Sequence, residues 1–125
     1  MKGLWEPSDV DPIGQNLFDG PFSWPVMVAR RSAIDANIAT MASYCARHGV
    51  EHAPHGKTTM APTLFQAQLD AGAWGITVAT AHQALVAHRF GVPRILLANE
   101  VLDPKVLRWA AALEGEFLYL SLIHI

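Results

Sequence analysis

From Val50 onward the chain alternates between two hydrophobic patterns, and that alternation limits the folds open to it. Four short apolar runs read as strands: Val50–Pro54, Gly75–Ala79, Arg94–Ala98 and Phe117–Leu120. Between them lie three helical patterns. The first opens at Pro62 and runs to about Ala71, with Leu64, Phe65 and Leu69 inward. The second is capped by Thr80 and runs to about Phe90. The third follows Asp103-Pro104 and carries Val106, Leu107, Ala110, Ala111 and Leu113 to Gly115. Proline suits the first turn of a helix because its missing N–H needs no partner there, and Gly72 and Gly91 stand where helices stop. The strand runs lack clean polar alternation, as expected of strands covered on both faces. Such an order gives an α/β fold with a parallel sheet and right-handed crossovers. The pattern alone leaves open both a barrel and an open doubly wound sheet.

Upstream of Val50 the signals are different. Residues 1–24 are rich in Pro, Gly and Asp without a sustained period, and read as an irregular arm with one helical turn near Ile13–Phe18. Pro25 then introduces a short strand, Val26–Ala29. Ser32 is expected to cap a helix, with Asp35 three residues on, close to a capping box. Ile34, Ile38, Met41 and Cys45 form an apolar stripe directed at a core, and Gly49 ends the helix. Cys45 reads as a small apolar residue rather than a nucleophile.

Composition removes several functional classes. A length of 125 residues suffices for one small domain with a core. The net charge of −2, without a basic stripe, leaves no nucleic-acid footprint. Cys45 is the single cysteine, so no internal disulfide can form, and a reducing, cytoplasmic setting is the simplest reading. Residues 1–11 have no apolar h-region, and no run approaches a membrane span. Trp5, Trp24, Trp74 and Trp109 read as packing anchors, because no aromatic ladder interleaves with basic residues.

The candidate chemistry centres on His55-Gly56-Lys57-Thr58-Thr59-Met60-Ala61-Pro62. Lys57 falls on a glycine-flanked turn just past a strand, on the rim where β/α folds place chemistry. A phosphate-binding loop fails on spacing: its first glycine would fall at Glu51, whose acid would repel the phosphate. Spacing alone favours a solvated surface lysine, the usual fate of the residue. His55, two residues before Lys57 on extended backbone, would point to the same side. It reads equally as a site residue or as a histidine satisfied by backbone. Thr80 and Asn99 lie at or just after strand ends. Thr80 reads first as a helix cap and Asn99 as a turn residue. His52 and His55, three apart on a strand, face opposite sides and make a poor chelating pair. His82 and His88 read as exposed helix residues, and no metal ligand is assigned.

The elements Ala53-Pro54-His55-Gly56-Lys57-Thr58 and Gln68 to Thr80 resemble the D-threonine aldolase and D-serine dehydratase family, pyridoxal-phosphate enzymes related to alanine racemase. The resemblance also takes in Pro25–Ala29, Asp35–Ile38 and Ile95–Val101, and covers about Pro25 to Leu113. Pro-His-Gly-Lys-Thr is its specific part. It implies that Lys57 is the Schiff-base lysine, with His55, Thr80 and Asn99 as further cofactor-binding candidates. It implies a partial (β/α)8 TIM-type barrel, first half only, over residues 25–125, preceded by the 1–24 arm. Val26–Ala29 would belong to the family's second, β-rich domain. A complete barrel takes about 250 residues, so the chain is expected to be a fragment, inactive alone. Its ending, Leu120–Ile125, departs from the family pattern.

The implied activity is that of a lyase on small D-amino acids bearing a β-hydroxyl, by dehydration of D-serine or retro-aldol cleavage of D-threonine. An amino-acid racemase and a non-catalytic pyridoxal-phosphate-binding protein remain the alternatives. A homodimer is expected at full length. Any divalent-metal site would lie in the C-terminal domain beyond this chain. Thr59 stands where many family members have histidine, which leaves the substrate open.

Overall fold

The computed structural model describes residues 13–113 in full and the backbone of 117–120. Trp5, the first half of the arm, the helix end expected at Gly115 and the ending after Leu120 lie outside the described residues. The chain divides into two compact units, Met1–Arg30 and Arg31–Ile125.

In the first unit the helical turn is built on Asn16 rather than on Ile13. The Asn16 side-chain oxygen accepts from the N–H groups of Phe18 (2.8 Å) and Asp19 (3.3 Å), and its carbonyl accepts from Gly20 (2.8 Å). Asparagine suits this place because its short acceptor reaches the backbone two and three residues on. Trp24 stacks on Phe18 at 5.9 Å. The strand expected at Val26–Ala29 does not form. A strand needs a neighbour to take its N–H and C=O groups, and among the described residues nothing pairs with this stretch. Met27 is 98% exposed.

The second unit carries α1 (Arg31–His48), α2 (Pro62–Asp70), β1 (Ile76–Val78), α3 (Ala81–Arg89), β2 (Arg94–Leu97), α4 (Pro104–Ala111) and β3 (Phe117–Leu120). The strands form a parallel sheet in sequence order, β1-β2-β3, with Ile76 opposite Ile95 and Arg94 opposite Phe117.

The strand expected at Val50–Pro54 survives only as an extended segment with a single bridge, His55 to Thr77. Around it, Thr77 N–H donates to the Pro54 carbonyl (2.8 Å) and Gly56 N–H to the Thr77 carbonyl (2.7 Å). In a parallel ladder the next rung would need an N–H on Pro54, and proline has none. The register then slips, and Trp74 N–H reaches the His52 carbonyl (2.8 Å). The paired stretch is therefore 52–56, shifted towards the lysine.

The core lies on one face of the sheet. Ile76, Val78, Ile95 and Leu97 are buried against Phe65 of α2 and Ala84 and Ala87 of α3, while Trp109 of α4 packs at its border. Burying a side chain of this size contributes about 1.5–3 kcal/mol. Because α2, α3 and α4 all join this cluster, they share that face. Directly paired residues of parallel strands share a face too, so His55, Thr77 and Leu96 form a row on the other side.

Helix ends follow the expected punctuation except at two places. After α3, Gly91 takes φ +79°, and the N–H groups of Gly91 and Val92 return to the carbonyls of His88 and Ala87. That left-handed turn satisfies the last carbonyls and delivers Val92 to the core. Asp103 caps α4 by accepting from Lys105 N–H (2.8 Å). The helix stops at Ala111, leaving Leu113 outside it.

At the start of α1, Ser32 lies inside the first turn instead of capping it. The Arg31 Nε lies 2.9 Å from both Asp35 carboxylate oxygens, an i,i+4 pair along the first turn. The α1 stripe does not reach the core. Met41 is exposed and Cys45 only half-buried. Ile38, Met41 and Cys45 instead line an open groove of about 350 Å³ with Val50, Pro54 and Ala71. Among the described residues no helix is long and apolar enough to cross a membrane.

Candidate functional site

The carboxyl ends of segment 52–56, β1 and β2 lie at one edge of the sheet, and the loops leaving them carry Lys57, Thr80 and Asn99. Lys57 is exposed and follows directly on the buried Gly56. A Cβ on Gly56 would come within 2.5 Å of the Phe65 ring and 3.0 Å of Ile76. Only glycine lets the chain pass over the core here and turn out immediately afterwards. The turn is closed by Met60 N–H donating to the Gly56 carbonyl (2.9 Å), with Thr59 N–H on the same oxygen (3.3 Å). Met60 adopts φ +43°, a left-handed conformation uncommon for a long side chain, and packs against the core. The lysine turn is thus shut by a backbone ring and anchored at one end by the buried Gly56 and at the other by the partly buried Met60.

What joins His55 to Lys57 is a hydrogen bond rather than strand periodicity, because the extended backbone ends at Gly56. His55 Nδ1 accepts from Lys57 N–H at 3.3 Å. A ring nitrogen that accepts carries no proton, so the imidazole proton sits on Nε2 when the ring is neutral.

Thr80 caps α3, its hydroxyl accepting from Gln83 N–H (3.2 Å). Asn99 bridges two loops, its side-chain amide donating to the Ala79 carbonyl (2.6 Å). Gln83 connects these groups to the lysine. Its Oε1 accepts from Ala79 N–H (2.9 Å) and its Nε2 donates to the Lys57 carbonyl (3.4 Å). His55, Lys57, Thr80 and Asn99 therefore belong to one hydrogen-bonded loop cluster, with Gln83 as its hub. Sequence reasoning missed Gln83. The signal was present: Thr80-Ala81-His82-Gln83 has capping-box spacing.

A cleft of about 550 Å³ opens beside this cluster, lined by Thr80, Asn99, Glu100 and Asp103 among others. Beneath the rim, the buried Thr77 hydroxyl donates to the Ala53 carbonyl (2.6 Å), tying the irregular first segment to β1 where the Pro54 rung is missing. His52 lies apart from the cluster, beside Cys45 and Gln68 in the α1 groove. Among the described residues no three His, Cys, Asp or Glu gather as a metal site. His88 is half-buried rather than exposed, its ring edge-on to Trp109 at 6.0 Å. Trp74 anchors the opposite end of the strands, with the Arg94 guanidinium over its ring at 5.6 Å.

No family model matches the chain. Curated proteins and solved structures do. The chain is 31% identical over 101 residues to D-threonine aldolase from Arthrobacter sp., a match covering 81% of this chain and 26% of that protein. It is 28% identical over 94 residues to 3-hydroxy-D-aspartate aldolase of Paracoccus denitrificans (strain Pd 1222), covering 74% and 24%. The crystal structure of D-threonine aldolase from Filomicrobium marinum superposes with a TM-score of 0.75 at 23% identity, over 82% of this chain and 28% of that one, which speaks for the fold alone. A variant of D-threo-3-hydroxyaspartate dehydratase superposes with a TM-score of 0.67 at 33% identity, over 75% and 24%. The chain spans about a quarter of the length of these relatives. Over that quarter the chain is similar in sequence and in fold to D-threonine aldolases and to the 3-hydroxy-D-aspartate aldolase and dehydratase.

Proposed function

We propose that this chain is part of a pyridoxal-phosphate-dependent lyase acting on small D-amino acids that carry a β-hydroxyl. The observation that carries the reading is Lys57: an exposed lysine on a closed turn at the carboxyl-end rim, within a stretch related to enzymes named for D-threonine and 3-hydroxy-D-aspartate. The residues present fit the cofactor at this point. Lys57 supplies the amine, and its main chain is fixed on both sides. His55, Thr80 and Asn99 line the same loop cluster as further contacts. When bound, pyridoxal phosphate takes up the electrons released from a bond at the substrate Cα. The chain's own part is to hold the amine at the rim and keep its turn shut.

The same reading extends to the fold. The parallel strands in sequence order, with α2, α3 and α4 on one face, are the opening units of a (β/α)8 barrel that begins within the unit starting at Arg31. A grip on the cofactor phosphate comes from loops late in such barrels, after the seventh and eighth strands. The ligands of any divalent metal also come from outside these 125 residues. The 125-residue chain alone therefore holds the cofactor weakly, as a reversible adduct.

Borohydride reduction followed by peptide mapping tests the assignment in the full-length protein. The pyridoxyl group is expected on Lys57, and Lys57→Ala is expected to abolish both the label and activity. A Lys57→Ala protein that retains imine absorbance and turnover would overturn it.

A further inference from the structure

We infer that Gln83 is a positioning residue for Lys57, acting through the lysine's main chain; the inference deepens the proposed function and rests on it for its chemical meaning. The two polar main-chain groups of Lys57 are both met by side chains. Its N–H donates to His55 Nδ1 (3.3 Å) and its carbonyl accepts from Gln83 Nε2 (3.4 Å). His55 belongs to the same segment as the lysine. Gln83 lies 26 residues on, in the first turn of α3, and is the only one of the two that ties the turn to a different element.

The orientation of the Gln83 amide follows from its other bond. Ala79 N–H can only donate, so the atom that meets it at 2.9 Å is Oε1, and Nε2 must face the Lys57 carbonyl. Ala79 is itself fixed from the far side, its carbonyl accepting from Asn99 at 2.6 Å. The grip on Lys57 thus runs from the loop after β2, through the loop after β1, to the lysine turn. In an ordinary capping box the glutamine would end its work at the backbone of its own helix. Here the oxygen reaches one residue further back, to the N–H of Ala79 before the cap, and the amide hydrogens are left to reach across. The direction in which the lysine side chain leaves the main chain is set by the peptide planes on either side of its Cα. A group holding its carbonyl therefore helps set where the amine can go. Positioning of this kind matters because displacements of about 1 Å at a reacting group can cost about a hundredfold in rate.

The two bonds of Gln83 can be separated. Gln83→Glu keeps an acceptor for Ala79 N–H but faces the Lys57 carbonyl with a second oxygen, so it breaks only the reach to the lysine turn. Gln83→Met keeps the length and breaks both. Asp103→Ala removes a comparable cap from α4 and controls for general loosening. The measurement is hydrogen–deuterium exchange of the peptide containing residues 55–60 in the full-length protein without cofactor. Both Gln83 variants are expected to raise exchange there by about fivefold, the scale of one net hydrogen bond, while Asp103→Ala leaves it unchanged. A Gln83→Glu protein that exchanges like the wild type would overturn the inference and reduce Gln83 to a helix cap. A second readout concerns the chemistry: the share of borohydride-trapped pyridoxyl label on Lys57 relative to Lys105. It is expected to fall in both Gln83 variants relative to the wild type and to stay at the wild-type share in Asp103→Ala. If the wild type itself shows no preference for Lys57, the cofactor assignment fails, while the exchange result still decides whether Gln83 holds the turn.

Discussion

At the scale of single residues, the site depends on positions where almost no substitution fits. Gly56 is the clearest. A methyl group there would overlap the Phe65 ring, and Phe65 is 2% exposed at the centre of the core. Gly56→Ala is expected to destabilise the protein by about 1–3 kcal/mol, the cost of overpacking a full core, measured by urea denaturation. The same change should displace the Lys57 turn, so label on Lys57 should fall more than stability does; a variant folded and labelled like the wild type would contradict this. Thr77 is a second such residue. Its hydroxyl is buried and donates to the Ala53 carbonyl. Thr77→Val keeps the shape but leaves that carbonyl without its donor, and is expected to cost about 1–3 kcal/mol. Amide exchange should show the loss in residues 52–56 before it shows in α3. Uniform loosening across the sheet would argue against this local role.

At the scale of elements, Pro54 explains why the first strand is the weakest. It removes the one N–H that would have made a second rung to β1. The segment then relies on the His55–Thr77 bridge, the Thr77 hydroxyl and the slipped bond from Trp74. Its neighbours are ended more firmly. Gly91→Ala forces a side chain into φ +79°, a conformation that costs an L-residue about 1–2 kcal/mol. The expected result is a lower urea midpoint with an unchanged slope. No heavy atom lies within 4 Å of a Cβ placed there, so a loss of stability would come from the backbone alone. Retention of the wild-type midpoint would show that α3 can end without its left-handed turn.

At the scale of the whole molecule, the sheet formed by the described residues is open. Among the described residues, β3 has no partner beyond β2, and segment 52–56 closes the other side with one bridge. Unpaired edges recruit other chains. The isolated 125-residue chain is therefore expected to melt at a concentration-dependent temperature and to scatter light on standing. A sharp melt of a monomer, independent of concentration, would show that both edges are covered.

The order of strands and helices was legible because it rests on local signals. Pro62, Asp103-Pro104, Gly72 and Gly91 act within a turn of the positions they mark, and the apolar runs read at 75–79, 94–98 and 117–120 contain the strands at 76–78, 94–97 and 117–120. The Pro-His-Gly-Lys-Thr element likewise pointed to the enzymes that the chain is similar to. Other features were decided only by tertiary structure. Val26–Ala29 has strand composition but no described partner, and the α1 stripe has helical spacing but faces a groove, because pairing and burial depend on what lies opposite. Ser32 had the chemistry of a cap, yet it lies inside the helix, one residue after the Arg31 that pairs with Asp35. The capping-box spacing of Thr80 and Gln83 was in the sequence. That the glutamine amide would reach Lys57, 26 residues away, was not, since a hydrogen bond across elements exists only once packing has brought its donor and acceptor together.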